Sequence, residues 1–196
     1  DGAYSVYAVD MDGDGDMDIV GAAYNDDDIA WFENNGSQSF TERTIEGDFD
    51  GARSVYAVDM DGDGDMDVVG AAGADDDIAW FENNGSQSFT ERTIEGDFDG
   101  AYSVYAVDMD GDGDMDVVGA AVIDDDIAWF ENNGSQSFTE RTIEGDFDGA
   151  YSVYAVDMDG DGDMDVVAAA EADDDIAWFE NNGSQSFTER TIEGNF

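Results

Sequence analysis

The sequence predicts an all-β protein with the architecture of a β-propeller, and three observations support this prediction. A unit of 49 residues recurs through the chain and accounts for all 196 residues, so we expect a single domain of four repeats: 1–49, 50–98, 99–147 and 148–196. Each unit contains four short runs of strand-forming residues separated by turn signals. No window has the apolar periodicity of a helix. Repeated four-stranded units pack radially in propellers, with one blade per repeat.

The four runs of the first repeat are SVYAVD (5–10), DIVGAA (18–23), DIAWFE (28–33) and FTERTI (40–45). The first two carry small and apolar residues on both faces, as expected of strands that are covered on each side. The last directs Phe40, Glu42 and Thr44 to one face and Thr41, Arg43 and Ile45 to the other, so both faces are mostly polar, which is typical of an outer strand. Asn35 and Gly36 both tolerate positive φ and predict a hairpin between the third and fourth runs. We therefore expect each blade to be a four-stranded antiparallel meander.

The third run of every repeat contains a tryptophan within the apolar sequence IAWF. An aromatic ring of this kind could stack on a sugar, but its place on an inner-to-middle strand favours the core between blades. The four tryptophans are Trp31, Trp80, Trp129 and Trp178.

Composition restricts the partners of this chain. It has 52 acidic residues against five arginines, with no lysine or histidine, and a formal charge of −47. Nucleic acid and anionic membrane surfaces would repel such a chain. No apolar run approaches the roughly 18 residues that a membrane-spanning helix needs, so we expect no membrane insertion. A surface of this kind also suits high salt, where charge repulsion is screened.

The stretch VDMDGDGDMDIV (9–20) places five aspartates at alternate positions and recurs in every repeat. Such crowding of carboxylates is costly unless a cation lies among them. As metal ligands, Asp10, Asp12 and Asp14 occupy loop positions 1, 3 and 5, Asp16 offers its carbonyl at 7, and Asp18 occupies 9. This hard oxygen set suits Ca²⁺. An EF-hand is excluded because Gly21 stands where that loop needs a bidentate glutamate.

We therefore predict one Ca²⁺ per repeat and four per chain, which would bring the formal charge to about −39. The candidate ligands are Asp10, Asp12, Asp14, Asp16, Asp18, Asp59, Asp61, Asp63, Asp65, Asp67, Asp108, Asp110, Asp112, Asp114, Asp116, Asp157, Asp159, Asp161, Asp163 and Asp165.

The loop DMDGDGDMD, followed by DIAWFENNG and by the phenylalanine that starts the last strand, resembles the FG-GAP and VCBS repeats of integrin α-subunit-like propellers and of many secreted microbial proteins. The resemblance extends over every repeat. It implies a propeller with Ca²⁺ on one face, held by the aspartates of these loops. The units lack clear FG and GAP segments, and there are four of them where integrin-type propellers have seven blades.

The repeats do not determine how a ring would close. Each unit starts with its inner strand and ends with its outer strand, so closure depends on packing between the first and last blades. Two arrangements remain open: a four-bladed monomer, or a homodimer in which two chains form one eight-bladed ring. The near-identity of the units indicates recent duplication or deliberate construction from one template.

The varied positions between the second and third runs, together with Arg53, fall in loops of the edge opposite the calcium loops. They form a candidate ligand face for a glycan or protein: Tyr24, Asn25, Arg53, Gly73, Ala74, Val122, Ile123, Glu171 and Ala172. Neutral drift at exposed tips explains the variation equally well.

Catalysis has little support, because His, Cys and Lys are absent and a repeated carboxylate pair has no reason to differ in pKa. We predict a calcium-binding scaffold without enzymatic activity, natural or designed. The alternative is a lectin-like carbohydrate-binding or adhesion module. Calcium loops of weak to moderate affinity work where calcium is millimolar, so a natural parent would be extracellular.

Overall fold

The computed structural model describes residues 1–195, and every regular element in this range is a β-strand. The described part of the chain thus has no helix that could cross a membrane. The first repeat forms β1 (Ala3–Val9), β2 (Asp18–Ala23), β3 (Asp28–Asn34) and β4 (Phe40–Glu46). The second forms β5 (Ala52–Val58), β6 (Asp67–Ala72), β7 (Asp77–Asn83) and β8 (Phe89–Glu95). The third forms β9 (Ala101–Val107), β10 (Asp116–Ala121), β11 (Asp126–Asn132) and β12 (Phe138–Glu144). The fourth forms β13 (Ala150–Val156), β14 (Asp165–Ala170), β15 (Asp175–Asn181) and β16 (Phe187–Glu193).

Each repeat forms its own four-stranded antiparallel sheet, with the strands in chain order. In the first sheet Gly21 lies opposite Val6 of β1 on one side and Ala30 of β3 on the other. The same register returns in the other three sheets. The predicted all-β class and the four antiparallel meanders are confirmed.

The first strand of each repeat is the innermost one. β5 packs against β1 on one side and β9 on the other, and β9 packs in turn against β13. Four tyrosines on these strands stack in a row, Tyr7, Tyr56, Tyr105 and Tyr154, with 4.6 to 4.7 Å between neighbouring ring centroids. The last strand of each sheet is mostly exposed, as its polar alternation predicted.

Apolar cores fill the spaces between successive sheets. In the first, Ile29 and Trp31 of one sheet meet Val55 and Phe81 of the next, and Phe49 from the connecting segment packs between them. Trp80 and Trp129 take the place of Trp31 in the next two cores. Burial of each such side chain contributes about 1.5–3 kcal/mol. The tryptophans therefore lie where the core prediction placed them, with Trp178 on the uncovered side of the last sheet half-buried.

Each tryptophan is also covered by an arginine from the outer strand. Arg43 lies opposite Trp31 in the β3–β4 pairing, with its guanidinium carbon 5.4 Å from the ring centroid, and it forms an ion pair with Glu33. Arg92, Arg141 and Arg190 repeat this arrangement. Four of the five arginines thus have a structural role at the outer edge of a blade.

The four sheets form an open row and not a closed ring. The first strands β1 and β13, at the two ends, do not pack against each other as β1 and β5 do, and Val6 on the free face is 71% exposed while its equivalent Val55 is 5% exposed. A single chain therefore does not close the four-bladed ring that was one of the two expectations. The reason is geometric: three successive turns from sheet to sheet do not bring the last sheet back to the first.

The β3–β4 connection differs from the predicted turn. Gly36 has φ 74°, as expected, but the second positive φ belongs to Gln38 (60°) and not to Asn35. The N–H of Asn35 donates to the carbonyl of Ser39, and its side chain accepts from the N–H of Ser37. Asn35 thus stabilises a longer loop through its side chain and does not itself enter the left-handed region.

Candidate metal centre

The aspartate loop of each blade connects its two innermost strands. In the first repeat the chain leaves β1 at Val9 and enters β2 at Asp18. Gly13 and Gly15 have φ of 75° and 95°, and no neighbouring atom lies within 4 Å of the place where either would carry a Cβ. These two positions therefore favour glycine because of their positive φ and not because of a lack of space. They turn the loop back so that its first residues and Asp18 meet.

Three carboxylates converge in this loop. Asp10, Asp12 and Asp18 each present an oxygen within 4.8 Å of the other two. The other loops repeat the triad as Asp59, Asp61 and Asp67, as Asp108, Asp110 and Asp116, and as Asp157, Asp159 and Asp165. Twelve of the twenty predicted ligands are thus brought together, three in each blade.

The last aspartate of each triad is fully buried and holds the loop to the sheet. Asp18 accepts hydrogen bonds from the N–H of Met11 (3.1 Å) and the N–H of Asn34 (2.7 Å), so it ties the start of the loop to the end of β3. Asp67 repeats both bonds at 2.9 and 2.7 Å. Burial raises the pKa of Asp67 to about 6, although the N–H of Asn83 opposes this. A neighbouring cation would stabilise the ionised form of a carboxylate in such a place.

The first two aspartates face the loop backbone and one another. Asp10 accepts from the N–H of Gly15 at 3.0 Å through one oxygen, and its other oxygen, Oδ1, is buried without a hydrogen-bond partner. Burial raises the pKa of Asp12, and the negative charges of Asp14 and Asp18 add to the shift, against a hydrogen bond from the N–H of Asp14. A cation bound here would pair with this buried oxygen and reduce the repulsion between the neighbouring carboxylates.

The remaining two aspartates of each loop lie outside the triad. Asp14 accepts from the N–H of Asp16 at 2.8 Å, and the Asp16 carboxylate lies against Gly36 of the β3–β4 loop, where a Cβ would collide with it. Glycine is thus needed at position 36 for space as well as for φ. The carboxylates that the structure does not group with the triads are Asp14, Asp16, Asp63, Asp65, Asp112, Asp114, Asp161 and Asp163.

The donor set fits Ca²⁺. All the candidate ligands are hard oxygens, which Ca²⁺ binds six to eight at a time at about 2.3–2.6 Å. The triad supplies three carboxylates, and backbone carbonyls, water and the nearby aspartates are the available sources of the rest. Four equivalent triads in the described residues indicate one cation site per blade.

The sequence reading missed an asparagine that belongs to the same framework. The side-chain amide of Asn34 donates to the carbonyl of Met17 at 3.1 Å, and the N–H of this residue is the one that Asp18 accepts. Asn83, Asn132 and Asn181 are fully buried in the same role. Their constant spacing of 16 residues from the last triad aspartate is the signal in the sequence that could have identified this asparagine.

The opposite edge of the sheets carries the candidate ligand face. Arg53 lies on β5 and not in a loop as expected, because the strand begins at Ala52. It extends over Gly73, and its guanidinium carbon lies 5.3 Å from the Tyr24 ring centroid and 4.6 Å from that of Tyr102. Ala74 is exposed beside Gly73. A cation between two aromatic faces is attracted to both. The structure thus brings residues of three repeats together at this edge.

The other members of this face are spread over the loops after β2, β10 and β14. Asn25, Glu171 and Ala172 are exposed, Val122 is half-buried, and Ile123 is 65% exposed. The N–H groups of Val122 and Glu171 donate to Gly100 and Gly149 of the connecting segments. These loops therefore also hold the connections between sheets.

Comparison with known proteins supports the repeat assignment. The family model of the FG-GAP-like repeat matches residues 10–70, 59–119, 120–168 and 157–195. The crystal structure of the V. cholerae biofilm matrix protein Bap1 is similar over 95% of this chain, with a TM-score of 0.63 and 20% sequence identity. This chain spans 28% of that protein, so the likeness concerns the fold of one part of it. No curated protein sequence matches the chain.

Proposed function

This chain belongs to the FG-GAP-like repeat family, and from that membership we propose that it is a non-catalytic scaffold in which each of four blades holds one structural Ca²⁺. The observation that carries the proposal is the buried aspartate at the end of every loop. It accepts two backbone N–H groups and still lies within reach of two further carboxylates. A group so placed connects the ion to the sheet.

The residues of the loop have different proposed roles. Asp18 and its copies fix the ends of the loop to the third strand, and Asn34 fixes the carbonyl of Met17. Asp10 and Asp12 bring two more negative charges to the same point. The ion supplies the positive charge that lets these groups stay ionised together. Asp14 and Asp16, which lie next in the loop, complete the proposed ligand set.

The experiment is native mass spectrometry and thermal unfolding, with calcium and after chelation. We expect four ions per chain and a fall in the melting temperature when they are removed, because each triad is then left uncompensated. Asp61→Asn should lower the count to three ions per chain. Asp97→Asn, an exposed aspartate of a connecting segment, is the matched control and should keep four. A melting temperature that chelation does not change would contradict the proposal.

A non-catalytic role is consistent with the chemistry of the described residues. The titratable groups that could exchange protons near neutral pH are carboxylates repeated four times in equivalent settings. The buried carboxylate of each loop accepts two backbone N–H groups, which suits a structural role better than proton transfer. Sites with the dissociation constants of about 10⁻⁴–10⁻³ M that extracellular modules have would hold Ca²⁺ only where calcium is millimolar, so with such sites the protein would be extracellular. The biofilm matrix protein with a similar fold agrees with that location.

The second candidate is an adhesion module that binds a glycan or protein through the edge opposite the calcium loops. The cluster of Tyr24, Arg53 and Tyr102 favours it, because aromatic faces stack on sugar rings, although Nε and Nη1 of Arg53 are themselves buried without a partner. A glycan array separates the two functions. Binding to a defined class of sugar that Arg53→Tyr abolishes would establish the module, and the absence of binding would leave the scaffold.

A further inference from the structure

The first sheet leaves uncovered the face that every later sheet buries. Val6 on this face is 71% exposed, whereas its equivalents Val55, Val104 and Val153 are 5–6% exposed. Phe32 is half-buried, while Phe81, Phe130 and Phe179 at the same position are fully buried. The sequence is apolar here in all four repeats, so only the missing neighbour makes the first sheet different.

The last sheet leaves the complementary face uncovered. Met158 is 51% exposed, whereas Met11, Met60 and Met109 are each 2% exposed. Ile176 and Trp178 are half-buried, and their equivalents Ile29 and Trp31 are fully buried. Two exposed apolar faces on one acidic chain need an occupant.

These two faces are the two halves of one interface that the chain already forms three times. At the first junction, Ile29 and Phe49 reach the second sheet at Gly70, where an added Cβ would lie 2.8 and 3.0 Å from their side chains. Ile78 and Phe98 do the same at Gly119. The N–H of Val55, Val104 and Val153 donates across each junction to a serine hydroxyl of the preceding sheet. The contact is therefore specific in shape and in hydrogen bonding.

On the first sheet the matching place is an open groove of about 330 Å³. Its apolar lining includes Ala3, Val6, Ala30 and Phe32 beside Gly21, and the acidic residues that also line it are Asp1, Asp26, Asp28 and Glu42. The nearest atoms to an added Cβ at Gly21 belong to Phe32 and Ser5 of the same sheet, at 3.6 Å. The groove thus has the lining of the internal junctions without the isoleucine and phenylalanine that fill them.

We propose that the groove and the uncovered last sheet bind each other in a second copy of this chain, so that two copies form one closed ring of eight sheets. The last sheet of each copy packs on the first sheet of the other, with Ile176 entering the groove and the Ser152 hydroxyl accepting from the N–H of Val6. The four sheets of this chain do not close on themselves, and two copies of it supply eight sheets. A two-fold ring leaves no apolar face uncovered.

The proposal rests on the packing between sheets and not on the calcium sites. A native mass spectrum reports both separately, because the number of chains tests the ring and the number of ions per chain tests the proposed function. The first measurement is the mass in solution by sedimentation velocity over a wide range of concentration. We expect twice the 21.1 kDa of one chain. A mass of one chain throughout, or species that keep growing with concentration, would overturn the ring.

A matched pair of variants locates the interface. Val6→Glu places a carboxylate on the proposed interface, where it would be buried without a partner, and should weaken the association at least about 100-fold. Ile123→Glu makes the same change at an equally exposed loop tip and should leave the two-chain mass unchanged. Circular dichroism establishes that both variants are folded, which the exposure of both positions favours. If Val6→Glu keeps the mass of two chains, or if Ile123→Glu has the mass of one chain, the interface does not lie on the face of Val6.

Discussion

At the scale of single residues, the aspartates of one loop are chemically alike but differ in what surrounds them. Asp18 is buried and accepts two backbone N–H groups, whereas Asp14 accepts one from Asp16 and stays exposed. The spacing of the five aspartates predicted a cation site, because only an opposite charge makes such crowding favourable. It could not predict which three converge, since that depends on the left-handed backbone at Gly13 and Gly15.

The buried aspartate gives a prediction for Asp116→Asn. The amide has one acceptor oxygen, so the N–H of Met109 or of Asn132 loses its partner and remains buried. We expect the free energy of unfolding to fall by about 1–3 kcal/mol even without calcium. Urea unfolding of the metal-free chain measures this. Asp146→Asn, at an exposed connecting residue, should change stability by less than about 0.5 kcal/mol. Equal stability of the two variants would contradict the structural role of Asp116.

At the scale of elements, the strands were predictable and the connections were less so. Small and apolar residues on both faces predicted that the first two strands of each repeat are covered on each side, and the second strands β6 and β10 are indeed buried throughout. The first strands β5 and β9 instead combine buried with half-buried positions, so the prediction was wrong for them. The turn after β3 was only partly predicted, since Asn35 acts through its side chain and Gln38 takes the positive φ. Sequence could not identify how the connecting segments are held, because their partners lie in the β2–β3 loops about 24 residues away.

The connection between the third and fourth sheets is held by Asp125. Its carboxylate accepts from the N–H of Gly149 at 2.7 Å, its carbonyl accepts from the N–H of Phe147 at 2.9 Å, and its φ is 60°. Asp125→Ala removes the acceptor and places a Cβ-bearing residue without a local hydrogen bond at positive φ, so we expect a loss of about 1–3 kcal/mol. Chemical denaturation measures it.

Asp125→Asn is the matched variant for this connection. Asparagine keeps an acceptor and tolerates positive φ. It also removes the negative charge that, together with Asp173, raises the pKa of Asp148. We therefore expect the asparagine variant to be at least as stable as the parent chain. A loss as large as that of the alanine variant would show that the charge itself is needed.

At the scale of the whole molecule, the sequence of a single repeat cannot predict whether the ring closes or how the charge is distributed. Closure depends on the turn from one sheet to the next, and small differences accumulated over three junctions decide whether the ends meet. The charge of −47 is likewise distributed over both edges of the sheets. The aspartate loops carry triads that could hold a metal ion, whereas the opposite edge has Arg53 and many uncompensated carboxylates.

That opposite edge predicts the pH dependence of the metal-free chain. Like charge, chiefly from Asp27, Asp124 and Asp125 respectively, raises the pKa of Asp50, Asp99 and Asp148, and burial raises that of Glu91 and Glu140. A carboxyl whose pKa is higher in the folded state binds its proton more tightly there. The stability it contributes is full below the pKa of the unfolded chain and is lost as the pH rises through the folded pKa. The metal-free chain should therefore melt at a higher temperature at pH 5 than at pH 7, because this window also contains the value of about 6 to which burial raises the pKa of Asp67 and Asp116.

Salt provides the control for this prediction. Repulsion among exposed carboxylates is screened within about 3 Å at 1 M ionic strength, so sodium chloride should raise the melting temperature at pH 7 more than at pH 5. The measurement is thermal unfolding followed by circular dichroism, in a chain freed of calcium by chelation and desalting. A melting temperature that falls steadily from pH 7 to pH 5 at low salt would mean that ionised carboxylates of this edge stabilise the fold. Their role would then be in hydrogen bonds such as that from the N–H of Asp99 to Asp124, and not in the repulsion that their raised pKa values indicate.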